Sequence, residues 1–232
     1  MHPIPAHPPR VNVYVDGFNL YYGSLKATPY KWLDLAALCS VLFPGEPIGR
    51  IRYFTAHVDP TPGNLSAPIR QQTYLRALHT IPNLTVRLGH FLTEMEERIE
   101  VYPLNPGAPK VPNHANRLRW VWDTEEKGSD VNLATSLLLD AVDKDFTKAW
   151  VLTNDSDLAW PIEMARMKFR LPVGVMMPDR PAGYPNPPRT ESMQLKKAAR
   201  WFRRIEEAHL IASQFPASLA DPSGTITKPT GW

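Results

Sequence analysis

Residues Val11 to Gly23 have the sequence VNVYVDGFNLYYG, in which a short apolar run ends at Asp16. Short runs rich in valine and tyrosine are typical of buried β-strands. The acid and the glycine that follow the run are residues of turns and helix starts. The stretch therefore predicts a first strand that places an aspartate at its carboxyl end.

Strand and helix patterns alternate along most of the remaining chain. Asp34 and Ser66 are well placed to cap the first two helices. The alternation predicts a three-layer α/β/α sandwich with a mostly parallel sheet, whose binding sites lie at the carboxyl ends of the strands. The further strands are predicted at IRYFTAHV, TVRLGHF, KAWVLTN and LPVGVMM, and the helices at DLAALCSVLF, SAPIRQQTYLRALHTI, SDVNLATSLLLDAV and DLAWPIEMARMKF.

Several segments depart from this alternation. Between residues 93 and 127, ERIEVYPL and RLRWVWDT predict a β-hairpin-like insertion connected by NPGAPKVPNHAN. Trp120 and Trp122 of this insertion suit either contact with bases or packing against the body. The proline-rich segment Arg180–Glu191 predicts a loop. We expect a flexible N-terminus over 1–10, one domain over 11–212 and a disordered tail over 213–232.

Composition sets bounds on the class of protein. A chain of 232 residues with 43% apolar content can bury a substantial core. The single cysteine, Cys39, lies in an apolar run, which favours a buried small side chain and a reducing compartment. The N-terminus lacks the apolar core of a signal peptide, and no apolar run approaches the roughly 20 residues that cross a bilayer. We therefore expect a soluble cytoplasmic protein without a membrane partner.

Charge is distributed unevenly. The segment Arg166–Arg204 holds ten Lys or Arg residues against two acids, so it carries +8 while the rest of the chain carries about −5, for a total of +3. A cationic segment of this kind suits a polyanionic partner. The run KKAARWFRR, Lys196–Arg204, is equally well explained as a solvated helix face.

Four carboxylates follow or feed predicted strand ends. Asp155 and Asp157 come directly after the strand in VLTNDSDLAW, and Asp130 begins the helix that feeds this strand. If this strand neighbours the first one, these acids gather with Asp16 at one sheet edge. Clustered carboxylates raise each other's pKa and commonly bind a cation, although a capping turn also explains Asp155 and Asp157. Oxygen ligands favour Mg²⁺ or Mn²⁺ over zinc, and the histidines show no metal-ligand spacing.

Three stretches resemble the motif set of the NYN domain family, a branch of the PIN-like nucleases. They are VNVYVDGFNLYYG, EEKGSDVNLATSLLLDA and AWVLTNDSDLAWPIEMAR. The resemblance implies a PIN-like, Rossmann-like fold and metal-dependent cleavage of RNA. It assigns the catalytic, metal-binding site to Asp16, Asp130, Asp155 and Asp157, with Asn19 beside them. The third motif departs from the family because no glycine-containing turn separates Asp155 from Asp157.

These assignments predict a role for each residue. Asp16 and Asp155 are the best candidates for direct metal ligands, and Asp130 and Asp157 for ligands through water or to a second ion. Asn19 is also a good helix cap, Lys127 also suits a solvated position, and Asp140 is a candidate for a structural role. The residues expected to contact nucleic acid are Asn19, Thr153, Asn154, Ser156, Lys127, Lys196, Lys197, Arg200, Arg203 and Arg204.

The function predicted from the sequence is that of a metal-dependent endoribonuclease. The alternative is an RNA- or nucleic-acid-binding module of the same fold that cleaves little or nothing. The expected partner is RNA, with single-stranded DNA as a second choice, and the oligomeric state stays open, a homodimer included. A haloacid dehalogenase-type phosphatase needs an acid where Phe18 stands, and a nucleotide-binding Rossmann domain needs a glycine-rich turn that DGFNLYYG lacks.

Overall fold

The computed structural model of the chain describes residues 10–60, 63–99, 101–102, 111–112, 118–184 and 189–232. Strands and helices alternate as the sequence predicts. The strands are β1 (Val11–Asp16), β2 (Ile48–Thr55), β3 (Leu84–Leu88), β4 (His90–Ile99), β5 (Val101–Tyr102), β6 (Val111–Pro112), β7 (Leu118–Lys127), β8 (Lys148–Leu152), β9 (Val173–Pro178), β10 (Trp201–Ile205), β11 (Ser218–Asp221) and β12 (Gly224–Thr227). The α-helices are α1 (Gly17–Leu20), α2 (Leu35–Leu42), α3 (Ala67–Leu78), α4 (Ser129–Val142), α5 (Ala159–Met167), α6 (Met193–Ala198) and α7 (Glu207–Ile211).

A six-stranded parallel sheet has the order β10-β9-β8-β1-β2-β3. The chain builds outwards from β1 to β3, returns to place β8 beside β1, and then builds outwards in the other direction. In doubly wound sheets, the crevice at the carboxyl ends of the strands where the direction reverses is the usual ligand site. Asp16 and the residues after Leu152 therefore lie at the switch point of the sheet.

Helices cover both faces of this sheet because its strands are apolar on both sides. Val13 and Val15 of β1 pack into one core with helix α2, whereas Tyr14 points to the opposite core with Leu133 and Leu137 of α4. Side chains of a strand alternate between the two faces of a sheet, which accounts for this division. The predicted three-layer α/β/α sandwich is confirmed. Asp34 caps α2 as expected, since its carboxylate accepts from the backbone N–H of Ala36 at 2.8 Å.

A buried polar cluster fixes α4 to the sheet. The Asp140 carboxylate accepts from Arg52 Nε at 2.8 Å and Nη2 at 2.7 Å, and from the Tyr14 hydroxyl at 2.7 Å. Asp140 is 6% exposed, so its charge depends on these donors. The structural role predicted for Asp140 is confirmed.

The predicted hairpin-like insertion is an antiparallel pair of long strands, β4 and β7, whose register runs from His90 opposite Lys127 to Ile99 opposite Leu118. Trp120 and Trp122 are 64% and 72% exposed, so of their two alternatives, packing against the body does not occur. Most of the connection between the strands lies outside the described residues, as do residues 1–9 of the expected flexible N-terminus. In the predicted loop Arg180–Glu191, residues 185–188 also lie outside them, and the others form neither helix nor strand.

The structure divides the basic run Lys196–Arg204 between two elements. Helix α6 ends at Ala198, and Trp201 begins the edge strand β10, which pairs in parallel with β9. The Trp201 ring stacks on Trp150 of β8 with centroids 5.8 Å apart. The explanation of this run as a single solvated helix face is therefore wrong, because the Trp201 side chain packs against the sheet.

The structure also differs from the expected disordered tail. Residues 218–227 form the antiparallel pair β11 and β12. Ile226 is 1% exposed, and the Trp232 ring lies 5.8 Å from Tyr74 and 6.4 Å from Trp32, centroid to centroid. Apolar contacts therefore attach this segment to the core.

Within the described residues, no helix has both the length and the apolar character needed to cross a bilayer.

The attachment of the C-terminal hairpin can be measured through Ile226. Replacing Ile226 by Ala removes buried methyl groups, so unfolding should cost about 2 kcal/mol less than in wild type, as for other buried Ile or Leu truncations. Ile211 is 57% exposed and provides a matched control whose change to Ala should cost about 0.5 kcal/mol or less. Urea denaturation checks both values, and equal effects would mean that the hairpin contributes nothing to the core.

Candidate active site

The switch point of the sheet holds a cavity of about 280 Å³ that gathers carboxylates from separate parts of the chain. Asp16 comes from the end of β1, Asp130 from the first turn of α4 and Asp155 from the turn after β8. We call it the acidic cavity. Its lining residues are Asp16, Phe18, Asn19, Tyr22, Phe91, Glu126, Ser129, Asp130, Asp155 and Arg189.

Asp16 is 5% exposed and caps helix α1. Its carboxylate accepts from the backbone N–H of Asn19 at 2.8 Å and from the Thr153 hydroxyl at 2.9 Å. Burial raises the pKa of Asp16 from 3.8 to about 7, with the charges of Asp130 and Asp155 adding to the rise and the two hydrogen bonds opposing it. Asp16 therefore exchanges a proton near neutral pH.

The turn after Asp16 requires glycine at position 17. A Cβ atom there would lie 2.7 Å from the carbonyl oxygen of Phe54 and 2.7 Å from the Tyr53 ring. This close approach holds the turn against β2, and with it the position of the Asp16 carboxylate.

Asn19 joins the turns that follow β1 and β8. Its side-chain oxygen accepts from the backbone N–H of Asn154 at 3.1 Å and from Arg189 Nη1 at 2.7 Å. The Asn154 side chain continues this network, since it accepts from the Ser192 N–H at 3.0 Å and donates to the Thr190 carbonyl at 2.9 Å. Asn19 is therefore a positioning residue at the cavity rim, while the helix-capping role predicted as its alternative belongs to Asp16.

Asp130 lies at the start of α4, directly after Gly128 and Ser129. Gly128 has a φ of 99°, a backbone conformation that favours glycine. Burial, together with the charges of Asp155, Glu126 and Asp157, raises the pKa of Asp130 from 3.8 to about 6. Asp130 is thus a second carboxyl group that holds a proton well above its ordinary range.

Asp155 and Asp157 have different environments. Asp155 lines the acidic cavity, and its Oδ1 accepts from the backbone N–H of Asp157 at 3.0 Å. Asp155 also donates its own N–H to the Thr153 hydroxyl at 3.0 Å. Asp157 is exposed on the 3-10 turn Ser156–Leu158 and lies outside the cavity lining. Asp155 therefore caps the turn and also lines the cavity, while its catalytic and metal-binding roles stay predictions.

The described part of the chain contains no group of three or more His, Cys, Asp or Glu side chains that could hold a metal ion. Both Asp16 oxygens already accept hydrogen bonds. The expected Mg²⁺ or Mn²⁺ stays a prediction, and the function proposed below does not use it.

Most of the predicted nucleic-acid contacts lie away from the acidic cavity. Asn19 lines the cavity, and Thr153 and Asn154 adjoin it through hydrogen bonds to Asp16 and Asn19. Lys127 pairs with Glu125, Lys196 with Glu191, and Arg204 with both Glu191 and Asp179. None of these cations lines the cavity, nor do Ser156, Lys197, Arg200 and Arg203. RNA or single-stranded DNA as a partner stays a prediction.

Six of the ten residues that line the acidic cavity were not predicted from the sequence as site residues: Phe18, Tyr22, Phe91, Glu126, Ser129 and Arg189. Phe18 and Tyr22 lie within the first motif and carried a signal, since they are four residues apart, the spacing that places two side chains on one face of a helix. Glu126 and Phe91 come from the base of the β4–β7 hairpin, where they are directly opposite each other. The Glu126 carboxylate accepts from the backbone N–H of Ser129 at 3.0 Å, which brings it beside α4.

A larger cavity of about 530 Å³ adjoins the acidic cavity, and Phe18 and Tyr22 line both. We call it the aromatic cavity. It lies among the first turns after β1, helix α3 and the C-terminal segment, and its walls carry the rings of Phe18, Tyr21, Tyr22, Tyr53, Tyr74 and Trp232.

The sheet order defines a doubly wound α/β protein with a cavity at its switch point and a second cavity adjoining it. The chain is 32% identical, over 249 residues, to 6-hydroxy-3-succinoylpyridine 3-monooxygenase HspA of Pseudomonas putida strain S16. The match covers 98% of this chain and 76% of the relative. The chain therefore belongs to the family of this enzyme. No protein-family model matches it.

Solved structures support the fold alone. A protein of unknown function from Vibrio parahaemolyticus superposes with a TM-score of 0.52 at 16% identity, covering 90% of this chain and 98% of that chain. MurG of Acinetobacter baumannii gives a TM-score of 0.33 at 12% identity, covering 90% of this chain and 47% of that chain. The latter likeness is too low to bear on function.

The comparison corrects the predicted function. The prediction of a metal-dependent endoribonuclease is wrong, and so is its alternative of a nucleic-acid-binding module, because the relative aligned along 98% of the chain is a monooxygenase. The coarser prediction that the chain is an enzyme is confirmed. Carboxylates at strand ends serve many reactions, so their placement alone did not determine which one. Membership of the NYN domain family stays a prediction.

Stability should depend on pH through the acidic cavity. The pKa values of Asp16 and Asp130 rise from 3.8 to about 7 and about 6, so the folded chain holds more protons than the unfolded chain between these values. The stability that these two groups contribute is therefore fully present below about pH 4 and is lost as the pH rises towards 7.

Changing Asp130 to Asn removes one of these charges. We expect its melting temperature to exceed that of wild type at pH 8 by roughly 3 °C, corresponding to about 1 kcal/mol, and the difference to shrink towards pH 4. Asp143→Asn, at the exposed other end of α4, should leave the pH dependence unchanged. If the difference in melting temperature between Asp130→Asn and wild type were the same at pH 8 and pH 4, as expected for Asp143→Asn, the raised pKa of Asp130 would be refuted.

The expected metal has its own test. If Mg²⁺ or Mn²⁺ binds the acidic cavity, millimolar Mn²⁺ should raise the melting temperature of wild type and leave that of Asp155→Asn unchanged. An unchanged melting temperature for wild type would remove the metal from this site.

Proposed function

We propose that this chain is a monooxygenase acting on a hydroxylated nitrogen heteroaromatic ring with an anionic side chain. The supporting observation is the 32% identity, along 98% of the chain, to an enzyme named for 6-hydroxy-3-succinoylpyridine. A succinoyl group ends in a carboxylic acid, which is ionised at neutral pH, and the ring carries a hydroxyl group beside its nitrogen. The substrate class is therefore a planar, proton-exchanging ring joined to a carboxylate.

Monooxygenation inserts one atom of O₂ into the substrate and releases the other as water. The balance requires two electrons and two protons for each turnover. We propose that a soluble two-electron donor, such as a reduced nicotinamide nucleotide or a reduced flavin, supplies the electrons. The protons pass through groups that titrate near the working pH.

The raised pKa values of Asp16 and Asp130 suit such proton transfer. A general acid or base works best when its pKa lies near the ambient pH, and these carboxyl groups have pKa values of about 7 and about 6. Asp130 is the better candidate for direct contact with the substrate, since Asp16 is almost fully buried and already accepts two hydrogen bonds. Asp16 then acts as a positioning residue and proton reservoir beneath it.

The aromatic residues of the acidic cavity suit a planar ring. Phe18 contacts Phe91 edge to face, with centroids 5.7 Å apart, and stacks on Tyr22 at 6.5 Å. Such side chains bind flat apolar surfaces and exclude water from the groups behind them. They place a ring next to the carboxyl groups without exposing those groups fully to solvent.

Oxygen incorporation tests the proposed activity. The purified chain should consume O₂ with 6-hydroxy-3-succinoylpyridine and incorporate one atom of ¹⁸O from ¹⁸O₂ into the product, detected by mass spectrometry. The assay uses NADH, NADPH and reduced flavin in turn as donors, with an anaerobic control. No incorporation with any of these donors would overturn the proposed function.

Asp130→Asn should then lose about a hundredfold or more of the turnover rate, the usual scale for a general acid or base. Asp143→Asn, with the same chemical change on the same helix, should retain wild-type turnover. Equal rates in the two variants would mean that Asp130 has no catalytic role.

A further inference from the structure

The aromatic cavity contains positive charge as well as rings. Its volume of about 530 Å³ falls within the range of roughly 300–1,000 Å³ that is usual for small-molecule sites. Three cations line it, namely Lys26, Lys31 and Arg70, against one acid, Asp59. Mixed aromatic and cationic walls are the chemistry that binds an aromatic anion.

These cations have no anionic partners among the residues that the structure describes. The Arg70 guanidinium donates to the neutral side chains of Ser66 and Asn64. Lys31 Nζ donates to the carbonyl oxygen of Gly231 at 3.3 Å, and Lys26 Nζ lies 4.9 Å from the centre of the Tyr22 ring. No ion pair of the described residues includes any of the three. Guanidinium and ammonium donors therefore stay available to an anion.

The cations are also close enough to repel one another. Burial lowers the pKa of Lys31, and the charges of Arg70 and Lys228 lower it further. A bound carboxylate would relieve this repulsion. By contrast, the acidic cavity holds Asp16, Glu126, Asp130 and Asp155 against Arg189 alone, so an anionic group is disfavoured there.

We propose that the aromatic cavity binds the carboxylate end of the aromatic substrate, with the carboxylate on Arg70 and Lys31 and the ring at Phe18 and Tyr22, which line both cavities. This inference rests on the proposed function for the identity of the substrate class. The tyrosine and tryptophan rings lie in edge-to-face and tilted arrangements, for example Tyr53 and Tyr74 at 84° and Tyr74 and Trp232 at 59°. Rings at these angles give the cavity apolar walls on more than one side.

The location of the cavity fits turnover at the acidic cavity. Phe18 and Tyr22 line both cavities, which therefore adjoin. A substrate held by its carboxylate at Arg70 therefore lies beside the carboxyl groups proposed to move protons. The charges of the two cavities favour one orientation, with the anionic side chain towards the cations and the ring towards the acids.

Binding measurements separate this inference from catalysis. Isothermal titration of wild type should detect 6-hydroxy-3-succinoylpyridine at least tenfold more tightly than its neutral methyl ester. Arg70→Gln should weaken binding of the acid tenfold or more, since a charged hydrogen bond contributes on this scale, and should leave binding of the ester unchanged. Arg70→Lys should restore part of the affinity.

Arg76→Gln is the matched control. Arg76 lies on the same helix but pairs with Asp221 at 2.8 Å and does not line the cavity. Its change should leave the affinity for the acid within twofold of wild type. Thermal melts confirm that each variant is folded.

The outcomes divide clearly. Affinity of Arg70→Gln within twofold of wild type, equal weakening by Arg76→Gln, or no binding of the acid at millimolar concentration would each overturn the assignment of the cavity. Arg70-dependent binding without oxygen incorporation would keep this site and remove only the monooxygenase function. Turnover that is unchanged in Arg70→Gln would support the proposed monooxygenase function and contradict the binding of the substrate carboxylate at Arg70.

Discussion

The ion pair of Asp140 with Arg52 and its hydrogen bond from Tyr14 fix the position of helix α4 on the sheet. Arg52 of β2 and Tyr14 of β1 both donate to this buried carboxylate, so α4 is fixed across two adjacent strands. Removing one partner of a buried pair of this kind commonly costs about 3–5 kcal/mol, because a charge is left without compensation. Asp130 lies ten residues earlier on the same helix, about 15 Å along its axis. A structural contact in the middle of the fold thus holds a titrating group over the carboxyl edge of the sheet.

Burial then determines the chemistry of that edge. Asp16 is enclosed by β1, β2 and the turn after β8, and the loss of hydration accounts for most of the rise in its pKa. The neighbouring carboxylates make the same edge unfavourable for an anion. Carboxyl groups in such a state suit a reaction that moves protons, and they would equally suit a cation, which is why the sequence motifs alone favoured a metal-dependent nuclease. The relationship to a monooxygenase along 98% of the chain, rather than the geometry of the acids, argues against the nuclease.

The two cavities are lined mainly by charges of opposite sign, the acidic cavity by carboxylates and the aromatic cavity by cations. The strand ends and the base of the β4–β7 hairpin supply acids on one side of Phe18 and Tyr22, while α3 and the turn after the π-helical segment Tyr21–Leu25 supply cations on the other. A molecule with a carboxylate at one end and a proton-exchanging ring at the other matches this arrangement. Of the described residues in the basic segment Arg166–Arg204, only Arg189 lines either cavity, and two of its other cations, Lys196 and Arg204, are paired with Asp179 and Glu191.

The sequence by itself determined the alternating strands and helices, the parallel sheet and the positions of Asp16, Asp130 and Asp155 at its carboxyl edge. These features follow from local periodicity and from turn residues, which act between near neighbours in the chain. Only the tertiary structure decided that Phe91 and Glu126 enter the site from the hairpin, that Arg189 reaches Asn19 across 170 positions, and that the C-terminal segment closes the aromatic cavity with Trp232. The run KKAARWFRR became an edge strand because Trp201 stacks on Trp150, a contact between distant segments. Contacts of this kind depend on which apolar surfaces meet after folding, and local sequence patterns do not specify that.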